Sequence, residues 1–195
     1  MKQNQFDIEQ ACRVQKEIDR LLTVTKEPVL VAIDGVCGGG KTMLGEWIAM
    51  QYDCNLFHMD DFFLRKEQRT KERYEQPGGN VDYERFYEEI LKPLLVGKEC
   101  FYRKFDCSTL TLGEAKRVAW KRLNIVEGSY SQHPYFGNSY QLRVFLELSP
   151  EEQYRRLLNR VPEKINRFVE EWIPLENQYF ETYGIRDKSM CIVMR

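Results

Sequence analysis

The period of apolar and polar positions changes several times along the chain, and each change marks an element. Phe6, Ile8, Ala11, Val14, Ile18, Leu21 and Leu22 fall close to one helical stripe, which predicts an N-terminal helix over about 5–23. Pro28 opens "PVLVAID", a short β-branched run that reads as a buried strand. Glycines follow in "DGVCGGGKT", after which Leu44, Trp47, Ile48 and Tyr52 recur at helical intervals and predict an amphipathic helix. "CNLFHMDDFF" reads as a second strand over 54–59 ending in two aspartates, and "LRKEQRTKERYEQPGGN" as a loop or mobile excursion. Phe86, Tyr87, Ile90, Leu91 and Leu94 predict a helix over 83–95. "LNIVEG", "LRVFLEL" and "CIVM" predict three further strands, with "SYSQHPYFGNS" as a loop after the first. Ser149 and Pro150, followed by Glu151 and Glu152, give a helix start with Ser149 as cap.

Strands alternating with helices predict an α/β fold with a mainly parallel sheet covered on both faces. The length of 195 residues suits one domain, so 1–195 is read as one unit. Lys and Arg (29) nearly balance Asp and Glu (30), which argues against a broad nucleic-acid-binding surface. The six cysteines form no CxxC pair, and with two histidines they offer no metal-ligand spacing. The polar start "MKQNQFDIEQ" lacks an apolar signal core, and no apolar run approaches the roughly 20 residues that span a bilayer. The expectation is a soluble cytoplasmic protein with reduced thiols, not bound to membrane, with homo-oligomerisation left open.

Residues 35–42 carry the first chemistry. Gly35, Val36, Cys37, Gly38, Gly39, Gly40, Lys41 and Thr42 match G-x-x-x-x-G-K-[ST], between a predicted strand and a predicted helix. Glycine lets consecutive N–H groups turn inward around an anion, and the helix that follows adds free N–H groups and the positive end of its dipole. Lys41 would bring a full charge to the β- and γ-phosphates of ATP, and the Thr42 hydroxyl can coordinate Mg²⁺. Cys37 reads as a small residue tolerated within the loop.

Carboxylates at strand ends come next. Asp60 and Asp61 emerge where ligands bind in open α/β sheets, and such an acid either takes a proton from an attacking hydroxyl, holds Mg²⁺ through water, or caps the next segment. Glu127, closing "LNIVEG", stands where a Mg²⁺-organising carboxylate usually stands in phosphate-loop proteins. Arg156 and Arg160 are four apart and share a helix face, whereas all the arginines of 155–167 cannot point to one site. Tyr130, His133 and Tyr135 either touch an acceptor or serve the loop, and Trp172 and Leu175 read as core or partner contacts.

"DGVCGGGKT", "HMDDFF", "GGNVDYERF", "FYRKFDCST" and "IVEGSY", in this order and spacing, resemble the uridine kinase family of phosphate-loop kinases over about 28–161. Relatives of that family include phosphoribulokinase, bacterial pantothenate kinase and nicotinamide riboside kinase. The resemblance implies a three-layer, nucleoside-monophosphate-kinase-like fold with a five-stranded parallel sheet and a lid over about 150–168. It also implies an acceptor-side excursion over about 62–122 and transfer of the γ-phosphate of ATP to a small molecule's hydroxyl. By position, Asp60 matches the family's catalytic acid and Asp82 an acid that binds sugar hydroxyls. Tyr102 and Asp106 fall in the acceptor-pocket segment, Glu127 matches the acid near Mg²⁺, and Arg156 and Arg160 match lid arginines.

The chain departs from uridine kinases at "DCSTLTL", which lacks the histidine and arginine that read the pyrimidine. It departs again at "NRVPEKINRF", a lid interrupted by Pro162. The expectation is therefore an ATP-dependent kinase of a nucleoside. Its alternatives are a kinase of a pantothenate-, ribulose-phosphate- or nicotinamide-riboside-like alcohol, or a regulatory ATPase. No N-K-x-D guanine-reading motif points to a GTPase.

Overall fold

The computed structural model describes residues 7–194. Asp7 caps the first helix, α1 (Ile8–Val24), by accepting from the Gln10 N–H, and Ala11, Val14, Ile18 and Leu21 form its buried stripe. Phe6, counted in that stripe from the sequence, lies outside the described residues. The chain continues through β1 (Val29–Gly35), α2 (Lys41–Gln51), β2 (Cys54–His58), a short helix α3 (Lys71–Tyr74) and a helix over 83–95. Next come an antiparallel hairpin of β3 (Cys100–Asp106) and β4 (Thr111–Val118), then β5 (Leu123–Glu127) and β6 (Leu142–Glu147). Helix Pro150–Arg160, a helix over 165–183 and β7 (Met190–Val193) complete the fold.

The main sheet has the order β2-β5-β1-β6-β7, and its pairings are parallel. β1 sits at its centre and all its residues are buried, which is why its sequence is a continuous apolar run and not an alternation. One face packs on α1 and α2 through Val31, Ile33, Leu44 and Ile48, and the other on the helices 83–95 and 165–183 through Leu30, Phe86, Leu91 and Tyr179. Each such fully buried large apolar side chain contributes roughly 1.5–3 kcal/mol. The register sets Ile33 and His58 beside Glu127, so β1, β5 and β2 end together at one edge. The three-layer architecture expected from the sequence is present.

Two expectations change in detail. β2 ends at His58, and the two aspartates ride on a 3₁₀ turn, Met59–Phe62, so they leave the strand on different sides. The polar segment after them is packed. The Arg73 guanidinium lies 3.9 Å above the Tyr83 ring, donates to the Gly79 and Val81 carbonyls at 2.8 Å, and pairs with both Glu84 oxygens. The β3–β4 hairpin within the excursion was not anticipated. β4 is almost wholly exposed, so its sequence carries no buried alternation to read. Among the described residues no helix is long and apolar enough to cross a membrane.

Candidate active site

The phosphate loop joins β1 to α2 at the shared strand edge. Gly35 has φ +133°, and a Cβ there would fall 2.2 Å from the Leu146 carbonyl oxygen, so the loop's first position must be glycine. Gly40 adopts φ 90° and caps α2, which begins at Lys41. Val36 N–H donates to the Leu146 carbonyl at 3.1 Å, and Gly39 N–H to Val36 at 2.9 Å. Lys41 Nζ folds over the loop and donates to the Gly35 and Val36 carbonyls at 2.6 and 3.0 Å.

Asp34, just before the loop, was not singled out from the sequence, although an acid inside an apolar run is itself a signal. Its buried carboxylate accepts from Gly35 N–H at 2.8 Å, Tyr130 N–H at 3.2 Å, Gln132 N–H at 3.1 Å and Tyr179 Oη at 2.9 Å. It thereby ties the phosphate loop to the loop after β5 and to the helix 165–183. Burial pushes its carboxyl up to about 6, against the opposing charge of Lys41 and the donors around it.

Thr42 Oγ1 lies 3.2 Å from each Glu127 oxygen. Together they present a hydroxyl and a carboxylate beside the phosphate cradle, a set that suits Mg²⁺, which retains waters and takes phosphate oxygens. Among the described residues no group of three or more His, Cys, Asp or Glu side chains could hold a metal ion. His58 Nδ1 sits 2.5 Å from Glu127 Oε1, and that hydrogen bond is the main cause raising its imidazole above the ordinary range. This neighbour of the acid was missed from the sequence.

A cleft of about 1350 Å³ opens over the loop. The residues lining it include Cys37 through Thr42, Asp60, Glu127, Arg156 and Arg160, so most of the sequence-predicted residues meet there. Asp60 faces the cleft and is open to its solvent, while Asp61 turns away to pair with Lys104 at 3.0 Å. The protein mass around Asp60 raises its carboxyl most, and the charges of Glu127 and Glu176 add to this while Lys41 opposes it. Arg156 is buried and donates to Glu152 at 2.7 Å, whereas Arg160 is exposed on the cleft wall. Lys164, Arg167 and Phe168 of the expected lid also line the wall, which continues beyond it through Trp172 and Leu175 to Glu176.

Three predicted acceptor residues stand elsewhere. Asp82 is 2% exposed and caps the helix 83–95, accepting from Arg85 N–H at 3.1 Å and from Gln68 Nε2 at 2.9 Å. It faces a separate cavity of about 490 Å³ beside Arg65 and Arg85. Tyr102 is buried in the hairpin and stacks on Phe62 at 5.5 Å. Asp106 is consumed by the hairpin turn, accepting from Ser108 N–H and Oγ at 2.7 and 2.6 Å. The cleft is also lined by Phe63, Leu64, Arg69, Tyr74, Asn80, Leu110 and Tyr130.

Tyr130 adopts φ +74°, a conformation costing a non-glycine residue about 1–3 kcal/mol, and it does so at the cleft wall. His133 instead serves packing: its ring stacks 4.0 Å from Tyr83. Burial lowers its pKa to about 4. The unfolded chain therefore takes up a proton that the folded chain refuses, so this group removes stability as pH falls from about 6.5 towards 4. His133→Phe should flatten that dependence by about 3 kcal/mol between pH 7 and 4, read from denaturant titrations. Equal pH dependence in both proteins would contradict the assignment. Burial and the adjacent Glu176 charge push the Cys37 thiol up to about 12, which disfavours its thiolate form.

Solved structures share this architecture. A "possible uridine kinase" from Bacillus stearothermophilus superposes with TM-score 0.68 at 19% identity, over 96% of this chain and 98% of that one. A "putative fructose transport system kinase" from Silicibacter sp. TM1040 gives 0.69 at 19% identity, over 88% and 94%. The fold is that of the uridine kinase-like P-loop kinases. No family model matches the chain, and no curated protein matches it by sequence.

Proposed function

We propose that this protein is an ATP- and Mg²⁺-dependent kinase that transfers the γ-phosphate to a hydroxyl of a small metabolite, a nucleoside or other ribose-like alcohol, in the cytoplasm. One observation carries the reading: a single cleft collects the phosphate loop with Lys41, the Thr42–Glu127 pair and the free carboxylate of Asp60. Phosphoryl transfer demands chiefly positioning and charge stabilisation. Thr42 and Glu127 would hold Mg²⁺, which would supply neutralisation of phosphate charge. Lys41 and the loop amides bind the donor, Arg156 and Arg160 face it from the helix Pro150–Arg160, and Asp60 orients and deprotonates the acceptor hydroxyl.

A second reading of the acceptor has its own support. Arg69 lines the cleft, with Nε bound to the Leu64 carbonyl at 3.0 Å. A guanidinium there favours an acceptor that carries a carboxylate or phosphate besides its hydroxyl over an uncharged nucleoside.

The nucleotide part is tested with Lys41→Ala by calorimetric titration of MgATP. Affinity should fall at least about tenfold, the loss of one charge-assisted contact to phosphate. Unchanged titration of the variant, with its fold intact by circular dichroism, would sink the assignment.

A further inference from the structure

The amide of Cys37, third residue of the phosphate loop, already holds an anion. Its N–H donates to Glu176 Oε2 at 2.9 Å, and Ser129 Oγ donates to Glu176 Oε1 at 2.5 Å. Glu176 is 6% exposed, so a carboxylate has been taken out of water to meet two neutral donors. Such a placement costs stability, because two neutral donors do not repay the full desolvation of a charge.

The placement is firmly held. Glu176 lies in the helix 165–183 just after a π-helical turn, Phe168–Trp172, of the kind that re-aims side chains at functional sites. Three residues on, Tyr179 anchors the same helix to Asp34 at 2.9 Å. Glu176 is also on the acceptor side of the loop. Ser129, its other partner, follows Glu127 and Gly128 at the end of β5, and the charge of Glu176 acts on Asp60 and on Tyr130. That is the side on which a terminal phosphate must be exposed if it is to pass to an acceptor at Asp60.

Backbone amides of this loop are the groups with which the architecture binds phosphate. A carboxylate on one of them stands where phosphate oxygen would stand. We infer that Glu176 is a specificity-determining residue for the phosphate chain: it competes with the terminal phosphate of a nucleoside triphosphate for the Cys37 amide. The inner phosphates are left to the amides from Gly38 to Lys41. The inference rests on the nucleotide reading of the cleft. It narrows the advantage of a triphosphate over a diphosphate, and it links the position of the helix 165–183 to occupancy of the terminal-phosphate site.

Calorimetric titration of the wild type and Glu176→Gln with ADP and with the non-hydrolysable triphosphate AMP-PNP, both with Mg²⁺, tests it. Glutamine keeps the length but replaces the carboxylate with a neutral, weaker acceptor, so it yields the Cys37 N–H to phosphate more readily. The variant should bind AMP-PNP about tenfold more tightly than the wild type, because a like charge beside the terminal phosphate is gone, and ADP within about twofold of it. Unchanged or weaker AMP-PNP binding, or an equal gain for ADP, would overturn the competition while leaving the nucleotide site standing. A wild type that binds neither nucleotide would overturn both readings. Should Glu176→Gln not fold at the assay temperature, Glu176→Asp, which withdraws the carboxylate by one methylene, should show the same triphosphate-selective gain in smaller measure. Its absence there would equally overturn the competition.

Discussion

Asp60→Asn should lower kcat by about 10²–10⁴ with the acceptor that supports turnover, while leaving MgATP affinity within a few-fold of the wild type. Asparagine has the size of aspartate but cannot accept a proton. Asp60 stands at the cleft with Lys41 and Glu127, so removing its charge leaves the donor side assembled. The pH profile provides a second check. Burial by the cleft walls foremost, with the charges of Glu127 and Glu176, raises the Asp60 carboxyl above the ordinary aspartate range. The deprotonated form is the active one, so kcat/KM should fall as pH drops through that raised value, and the variant should lose this limb. Turnover undiminished in Asp60→Asn would remove the residue from the role of base.

The second large effect is on stability. Asp34→Ala should destabilise the protein by about 3–5 kcal/mol, measured by urea denaturation, because three backbone N–H groups and the Tyr179 hydroxyl lose their acceptor. The net loss is smaller than four broken hydrogen bonds would give. Asp34 has a folded pKa of about 6 against 3.8 for the unfolded chain, so its ionisation at neutral pH already opposes folding by about 3 kcal/mol. The sign follows: the stability contributed by protonated Asp34 is present below about 3.8 and is lost as pH rises through about 6. The wild type should therefore show this opposing dependence and the variant should not. Destabilisation below about 1 kcal/mol would show that the carboxylate does not organise the strand edge.

How much was legible in the sequence follows from how local each cause is. β1 and the phosphate loop could be read because a buried central strand needs an unbroken apolar run, and the loop's glycines and Lys41 act within eight consecutive residues. Glu127 was legible because the parallel register puts the end of β5 beside β1. That Asp82 caps the helix 83–95 and faces a separate cavity was not legible, because position alone does not reveal which helix end takes its carboxylate. Tyr102 follows the inward phase of β3, where it packs on Phe62, a contact no spacing discloses. Glu176 was invisible for a different reason. It acts on Cys37 from 139 residues away, from a helix that tertiary contacts such as Tyr179 with Asp34 hold in place. Arg69, Tyr74 and Leu110 fall within the excursion over about 62–122, but which of its side chains line the cleft depends on contacts between distant segments that no spacing discloses.

The central claim is transfer of phosphate to a small alcohol, and ADP formation measured with MgATP against a panel of nucleosides, sugars, sugar alcohols, hydroxy acids and phosphorylated alcohols tests it most directly. Phosphorus NMR of the same reactions identifies the second product. The account predicts that one class of acceptor stimulates ADP formation, with a phosphate ester appearing in equal amount and no accumulation of inorganic phosphate. ADP formation indifferent to every acceptor, or phosphate released to water alone, would contradict it.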